Sequence, residues 1–324
     1  MAEVYFSFFS LVLLVPISLL LLLYFIVRPK TVRVPIKNRH VFITGGSSGI
    51  GLALAHLCAH QGADVTLLAR SVSKLEEAKQ AIKLATGRDV RVFSVDVRDY
   101  DAVKRAVEEA GPIDVLVCNH GVYMPQELVD QEMEEIKFMI DVNLTGTFHL
   151  IKAALPGMKR TRAERGPGSI AIMSSQAGQV GIYGYAAYSA SKFGLKGLAE
   201  SLQHETITDN IHVSLIFPPD TDTPGFVEEY KRRPQLTSII AASSGAMKAE
   251  DVAKKSLDGI QSGTFNVNCN LLGLLLSGAT AGLSPQRSYL MAFVEITTAG
   301  LMRLVALFLQ WSWFGSIEKW HAKK

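Results

Sequence analysis

Tyr188 and Lys192 stand four residues apart, and Ser175 lies thirteen residues before Tyr188. On a helix, positions i and i+4 share a face, which sets the Lys192 ammonium beside the Tyr188 phenol. An unperturbed tyrosine titrates near pH ~10, and a neighbouring cation favours the phenolate and lowers that value. Such a phenol is a general acid toward a carbonyl oxygen. The Ser175 hydroxyl would hold the same oxygen and stabilise the charge developing on it. Ser174 is adjacent and is a second candidate for that hydroxyl. Lys192 also has the reach to hold the ribose of a nicotinamide. Asn143, in Asp141-Val142-Asn143-Leu144, is placed to fix a water linking Lys192 to bulk solvent. By itself Y-x-x-x-K carries little weight, since Tyr and Lys at helical spacing are commonplace.

A dinucleotide site is written upstream. The apolar run Val41–Thr44 leads into Gly45-Gly46-Ser47-Ser48-Gly49-Ile50-Gly51 and then a helical pattern. Strand, glycine turn and helix are the context a pyrophosphate cradle requires. Gly45, Gly49 and Gly51 let the backbone approach the phosphates, and Ser47 and Ser48 lie at the helix N-terminus that holds them. The next strand ends Leu67-Leu68-Ala69-Arg70, with no acid to grip the ribose hydroxyls as an NAD site would. Arg70 offers a planar fork for a 2′-phosphate, with Lys74 and Ser47 assisting, so the expected cofactor is NADPH. The plain alternative is a solvated loop cation. Asp96, after the third strand, is expected to meet the adenine. Asn119, in Asn119-His120-Gly121, is expected to support the backbone on the cofactor side.

The elements that must position these residues alternate along the chain. Strand-like runs are Val41–Thr44, Val65–Leu68, Val90–Val95, Val115–Cys118, Ile170–Ser174 and Val213–Phe217. Helical stretches between them are Ile50–His60, Lys74–Leu84, Ala102–Glu109, Glu134–Leu155 and Ala187–Thr206. Near-continuous apolar strands alternating with helices predict an α/β fold, a doubly wound parallel sheet covered on both faces. Ligands in such sheets bind beyond the carboxyl ends of the strands. The stretch Phe217-Pro218-Pro219-Asp220-Thr221-Asp222-Thr223-Pro224 leaves the sixth strand as a stiff loop. Its aspartates read either as turn caps or as partners for a cationic substrate.

The glycine loop, Asn119-His120-Gly121, Asn143, Ser175, Tyr188 and Lys192, in this order, resemble the short-chain dehydrogenase/reductase family over about residues 38 to 260. The resemblance implies a Rossmann-type domain. It favours Ser175 over Ser174, because the spacing of Ser175 to Tyr188 matches the family. It also places Thr223 against the nicotinamide carboxamide. Pro219 departs from the glycine the family carries there. The proline loop, Ser174-Ser175-Gln176-Ala177-Gly178-Gln179 and the N-terminal apolar segment resemble a narrower, membrane-bound group of the family. Its members reduce the 3-keto group of a long-chain amino ketone with NADPH, in sphingolipid biosynthesis at the endoplasmic reticulum. A steroid or retinoid ketone reductase would share every catalytic residue. A non-catalytic NADP-binding sensor would have no need of Tyr188 and Lys192 at that spacing.

The chain has 324 residues, 48% of them apolar, and a net charge of +3. That richness hints at membrane contact, and the lack of a basic block with interleaved aromatics argues against nucleic acid. Cys58, Cys118 and Cys269 are scattered, which argues against disulfides or a metal site and for reduced thiols facing the cytosol. Val4 to Val27 is uncharged and long enough to cross a bilayer. Arg28, Lys30, Arg33, Lys37 and Arg39 follow it, which puts that side in the cytosol. A cleaved signal peptide would want its cations before the apolar run. The expected organisation is a transmembrane anchor over 1–27, a basic linker over 28–37, an NADP-binding reductase domain over 38–265 and an apolar helical tail over 266–324. Leu290–Leu309 in that tail carries Glu295 and Arg303, so an interfacial role or subunit packing in a homo-oligomer is expected, with a second span or a helix covering the sheet of the same chain as alternatives.

Overall fold

The apolar runs condense into a parallel sheet whose inner strands are buried on both faces. The computed structural model describes residues 2–28, 31–241 and 245–323, with residues 2–13 and 229 described by backbone alone. Lys30 of the basic stretch lies outside the described residues. In chain order the elements are α1 (Ala2–Val27), β1 (His40–Thr44), α2 (Gly49–His60), β2 (Asp64–Ala69), α3 (Val72–Thr86), β3 (Arg91–Ser94), α4 (Tyr100–Ala110) and β4 (Val115–Cys118). Then come α5 (Met133–Ile140), a π turn (Asp141–Thr145), α6 (Gly146–Arg165), β5 (Gly168–Met173), α7 (Ala186–Thr206), β6 (Ile211–Phe217), β7 (Asp220–Asp222), α8 (Pro224–Tyr230) and α9 (Gln235–Ala241). The last are β8 (Ala246–Lys248), α10 (Ala249–Ser262), β9 (Asn266–Asn268), α11 (Leu271–Ala279) and α12 (Tyr289–His321).

The main sheet runs β3-β2-β1-β4-β5-β6-β9, and every pairing in it is parallel. Strand order reverses between β1 and β4, which opens a crevice at their carboxyl ends. One core, with Leu54, Leu75, Ile82 and Leu257, lies between the sheet and α2, α3 and α10. The other, with Val103, Leu150, Met158 and Leu195, lies under α4, α6 and α7. The fold is therefore a Rossmann-type, doubly wound α/β sheet.

Three elements differ from the sequence reading. β9 adds a seventh strand just past residue 265; three residues, two of them Asn, carry too little apolar pattern to stand out. The helix expected over Glu134–Leu155 is broken by the π turn and then runs on through Pro156 to Arg165. Pro156 and Lys152 are both exposed, so water can meet the carbonyl that the proline leaves unpaired. β7, from the proline loop, and β8 pair in a small parallel sheet of their own.

The amino ends of the strands are clamped by one acid. Asp114, wholly buried, accepts from the His40 backbone N–H at 2.9 Å, from Arg162 at 2.7 Å and from Arg165 Nε at 2.7 Å. This ties β1, β4 and the end of α6 together. Burial alone would raise the carboxyl, but the hydrogen bonds from Arg165, His40 and Arg162 outweigh it and hold it at about 2. The folded value lies below the usual ~3.9, so the stabilisation is present above that value and is lost as pH falls toward 2. Asp114→Asn leaves the Arg162 guanidinium buried without its partner, and should cost ~3–5 kcal/mol in urea unfolding at pH 7. The variant should also flatten the acid limb of the stability–pH curve. A loss under ~1 kcal/mol would mean that the arginines find other partners.

Candidate active site

The turn after β1 is shaped by what no side chain could occupy. Gly45 has φ +62° and Gly49 φ +55°. A Cβ on Gly51 would lie 2.3 Å from the Gly45 carbonyl oxygen and 2.5 Å from Asn119 Nδ2. Asn119 in turn donates to the Thr44 and Gly45 carbonyls at 3.2 and 3.3 Å. The loop after β4 thus staples the glycine turn that opens α2. Above it lies a cleft of about 650 Å³, lined by Gly45, Ser47, Ser48, Gly49, Arg70, Lys74, Asp96, Asn119 and Thr223 among others. All the residues expected to hold a dinucleotide, apart from buried Gly51 and the pair Tyr188–Lys192, line this one space at the strand-order reversal.

At its far end Arg70 and Lys74 are exposed, and no carboxylate ends β2. Ser94 fixes the Arg70 backbone by donating to its carbonyl at 2.9 Å. Asp96 is paired with Arg98 at 2.7 Å, and that hydrogen bond holds its carboxyl below the ordinary range.

A second, smaller chamber of about 180 Å³ adjoins the cleft and is lined by Ser174, Ser175, Tyr188, Lys192, Tyr123, Tyr185 and Asp220 among others. α7 carries Tyr188 and Lys192 on one face. Lys192 is 4% exposed. Its Nζ donates to the Met173 carbonyl at 3.0 Å and lies 5.6 Å from the Tyr188 ring centre. The loop after β4 passes close to it, since a Cβ on Gly121 would be in ordinary contact with Nζ, at 3.5 Å.

The two serines are separated by their contacts. Ser174 is buried and its hydroxyl donates to the Lys192 carbonyl at 3.1 Å, so it braces α7. Ser175 is half-buried, and its Oγ accepts from the Ala177 N–H at 3.2 Å, which leaves its proton to face the chamber.

Asn143 sits in the π turn, fully buried. Its amide nitrogen donates to the Val122 carbonyl at 2.9 Å and to Ser191 Oγ at 3.0 Å, and its oxygen accepts from the Val122 N–H at 2.8 Å. Its visible work is to lock the loop after β4 onto α7. Carbonyls released from regular bonding by the π turn are met by side chains: Val142 by His120 Nε2 at 3.1 Å, Asn143 by Thr147 at 2.8 Å. His120 Nδ1 faces Thr44 Oγ1 at 2.8 Å. A neutral ring with its proton on Nε2 satisfies both contacts. Desolvation, then Lys192, drops its pKa to about 3, so it stays neutral.

The proline loop closes the site. Pro218 accepts from the Gln176 N–H at 3.0 Å, which ties it to the Ser175 segment. Thr223 caps α8 by accepting from Phe226 N–H at 3.1 Å, and its methyl lies 3.0 Å from where a Gly49 Cβ would be. It lines both spaces. Of the two aspartates only Asp220 faces the chamber, where Arg233 donates to it at 2.5 Å. Asp222 is exposed, paired in register with Lys248.

Sequence reasoning missed Tyr123, Tyr185 and Arg233. The Arg233 side chain is 2% exposed and its guanidinium lies 5.6 Å from the ring centres of Tyr185 and Tyr230 and 6.0 Å from that of Phe226. In sequence it is one of an ordinary Arg232-Arg233 pair.

The short chain dehydrogenase family matches residues 39–234. A 3-dehydrosphinganine reductase of Arabidopsis thaliana is 62% identical over 97% of this chain and 95% of its own. One of Danio rerio is 41% identical over 90% of each. Among solved structures, L-sorbose reductase from Gluconobacter frateurii, complexed with NADPH and L-sorbose, superposes with a TM-score of 0.64. It is 27% identical and is covered over 98% of its length, against 74% of this chain. A short chain dehydrogenase from Mycobacterium paratuberculosis bound to NAD gives 0.62 at 25% identity.

The packing of Gly51 predicts that Gly51→Ala pushes the glycine turn and Asn119 apart. It should cost ~1–3 kcal/mol of stability, as overpacking does, and weaken dinucleotide binding more than tenfold in a fluorescence titration. Unchanged binding would mean that the cradle does not depend on this contact.

Proposed function

The chain belongs to the short-chain dehydrogenase family, and from that premise we propose that it reduces 3-ketodihydrosphingosine (3-dehydrosphinganine) to dihydrosphingosine with NADPH. The observation that carries the substrate is the likeness to reductases of that name across nearly the whole chain, tail included. The reaction type rests on Ser175, Tyr188 and Lys192 lining one chamber beside a dinucleotide-shaped cleft.

The residues present fit an NADP-type dinucleotide. The glycine turn leaves its backbone open to a pyrophosphate, and Arg70 and Lys74 offer cations where a 2′-phosphate would lie. Gly45, Ser47, Ser48 and Gly49 would hold the pyrophosphate end, with Gly51 and Asn119 supporting that turn from behind, Asp96 would meet the adenine, and Thr223, Tyr188 and Lys192 would face the nicotinamide end. When bound, the cofactor supplies the hydride that reaches the ketone carbon.

The chain supplies the proton. Tyr188 gives its phenolic proton to the ketone oxygen, and the Lys192 ammonium stabilises the phenolate left behind. Ser175 Oγ donates a hydrogen bond to the same oxygen as charge builds on it. Ser174, whose hydroxyl is spent on α7, and Asn143, which locks Val122 to Ser191, hold these groups in place. One hydride and one proton convert the ketone to the alcohol.

We read α1 as a bilayer anchor, with Arg28, Arg33, Lys37 and Arg39 on the cytosolic side of the endoplasmic reticulum. The part whose side chains are described, Leu14–Val27, is apolar and largely exposed.

The direct test is detergent-solubilised protein given 3-ketosphinganine, a steroid ketone and retinal, each with NADPH and NADH. Turnover of the steroid ketone or retinal in preference to the amino ketone would overturn the assignment. Tyr188→Phe should lose ~10²–10⁴-fold in kcat while NADPH binding stays nearly intact, because the proton donor alone is removed. Arg70→Ala should weaken NADPH by ~10–100-fold and NADH little, in line with ~1.5–3 kcal/mol for a charged hydrogen bond. Equal losses for both cofactors would show that Arg70 does not select the phosphate.

A further inference from the structure

α12 is 33 residues long and apolar enough to cross a membrane. At 1.5 Å per residue it measures roughly 50 Å. Both of its ends are held by the folded domain. At the start, Arg287 reaches the His212 ring at 2.9 Å, at the amino end of β6. Gln286 donates to Glu295 at 2.8 Å, Ala292 is buried, and the helix packs on α11. At the far end, His321 Nε2 lies 3.4 Å from the Tyr183 hydroxyl, and α12 packs on α9. α9 is itself tied to that loop, since Thr237 donates to the Tyr183 carbonyl at 2.8 Å. Tyr183 leads into Tyr185 and Tyr188 of the catalytic chamber. The helix therefore runs from the amino edge of the sheet to the chamber's mouth.

A helix that crosses a bilayer puts its ends on opposite sides of a hydrocarbon layer ~30 Å thick. Two ends bound to one folded domain cannot be placed so. Yet the surface between them is apolar and open: Leu304 is 64% exposed, Phe308 62%, Trp311 71% and Phe314 60%. The same character continues beside the mouth, where Val227 of α8 is 52% exposed and Ile239 of α9 49%. Contiguous exposed apolar surface of this kind marks a membrane contact, and tryptophan favours the headgroup level. Arg303, costly in mid-membrane, can reach water from a helix lying at that level. The end of α1 agrees, because the Tyr24 ring meets the Tyr289 ring edge-on at 5.6 Å between centres. An anchor emerging there brings the start of α12 to the cytosolic surface.

We propose that α12 lies along the cytosolic leaflet without crossing it, and that the mouth between its C-terminal end and α8–α9 opens sideways into that leaflet. A long-chain ketone then enters from the lipid without passing through water. The entry route rests on the proposed substrate; the lie of the helix does not.

The test uses the full-length protein in sealed microsomes and two single substitutions, Leu283→Cys before α12 and Lys323→Cys after it. Both positions are exposed, and the native cysteines Cys58, Cys118 and Cys269 are buried. A membrane-impermeant maleimide should label both from the cytosolic side without detergent. Labelling of Lys323→Cys only after permeabilisation would overturn the proposal, whatever the enzyme reduces. For the entry route, the pair Phe308→Asp and Trp311→Asp should raise KM at least about tenfold for 3-ketosphinganine in lipid vesicles, as loss of an aromatic's burial implies. kcat, and turnover of a short-chain water-soluble 3-keto amine, should hold. Equal losses on both substrates would exclude sideways entry.

Discussion

A cation buried between a strand end and a helix constrains everything around it. Lys192 keeps its charge within reach of Tyr188 only if its surroundings replace the water it has lost. The Met173 carbonyl at 3.0 Å does so from one side, and the face of the Tyr188 ring from another. His120, near enough to feel that charge, is held neutral by burial and by Lys192 itself, so the site does not stack two cations. The π turn follows from the same need. It brings Asn143 inward to hold Val122 against α7, and it frees the Val142 carbonyl for His120.

The apolar tail belongs to this arrangement. Gln176 and Gln179 follow Ser175 directly. Gln176 donates to Asn270 at 2.7 Å, and Gln179 to Ser277 at 2.7 Å and to the Gly273 carbonyl at 3.2 Å. Ser277 closes the set on Asn268 at 2.7 Å. The segment that carries Ser175 is thus fastened to β9 and α11, and the Pro218 carbonyl fastens it to the proline loop. The Gln179 amide nitrogen carries these bonds, while its buried Oε1 has no partner among the described residues. The seventh strand and the first tail helix hold Ser175 in place, and α12 packs on the outer side of that helix.

What the sequence made legible was whatever depends on local spacing. A glycine turn between strand and helix, and Tyr188 with Lys192 at i+4, keep their geometry in any context. The cleft and the adjoining chamber therefore gather most of the named residues. What stayed hidden depends on contacts distant in sequence. β9 is too short and polar to announce itself. The π turn arises from Asn143 meeting Val122 and Ser191. Arg233 gains its meaning only when α8 folds its rings around it. Asp222 adjoins Thr223 in sequence, yet it is exposed at the end of β7, while Asp220, at the start of that strand, lines the chamber.

That place in the chamber limits what Asp220 can do for an amino ketone. A substrate ammonium arriving in the chamber would meet a carboxylate already bonded to Arg233 at 2.5 Å. Exchanging partners would leave a guanidinium that is 2% exposed without its anion, and breaking a buried pair in this way costs ~3–5 kcal/mol. The new pair would have to recover that before any selectivity appeared. Tyr185, Tyr230 and Phe226 do not remove the problem, since their ring faces attract the guanidinium without cancelling its charge. Asp220 and Arg233 therefore act together as a neutral, rigid wall of the chamber. Discrimination between an amino ketone and a plain one is then left to the other lining of the chamber, the aromatic walls of Tyr123 and Tyr185 above all.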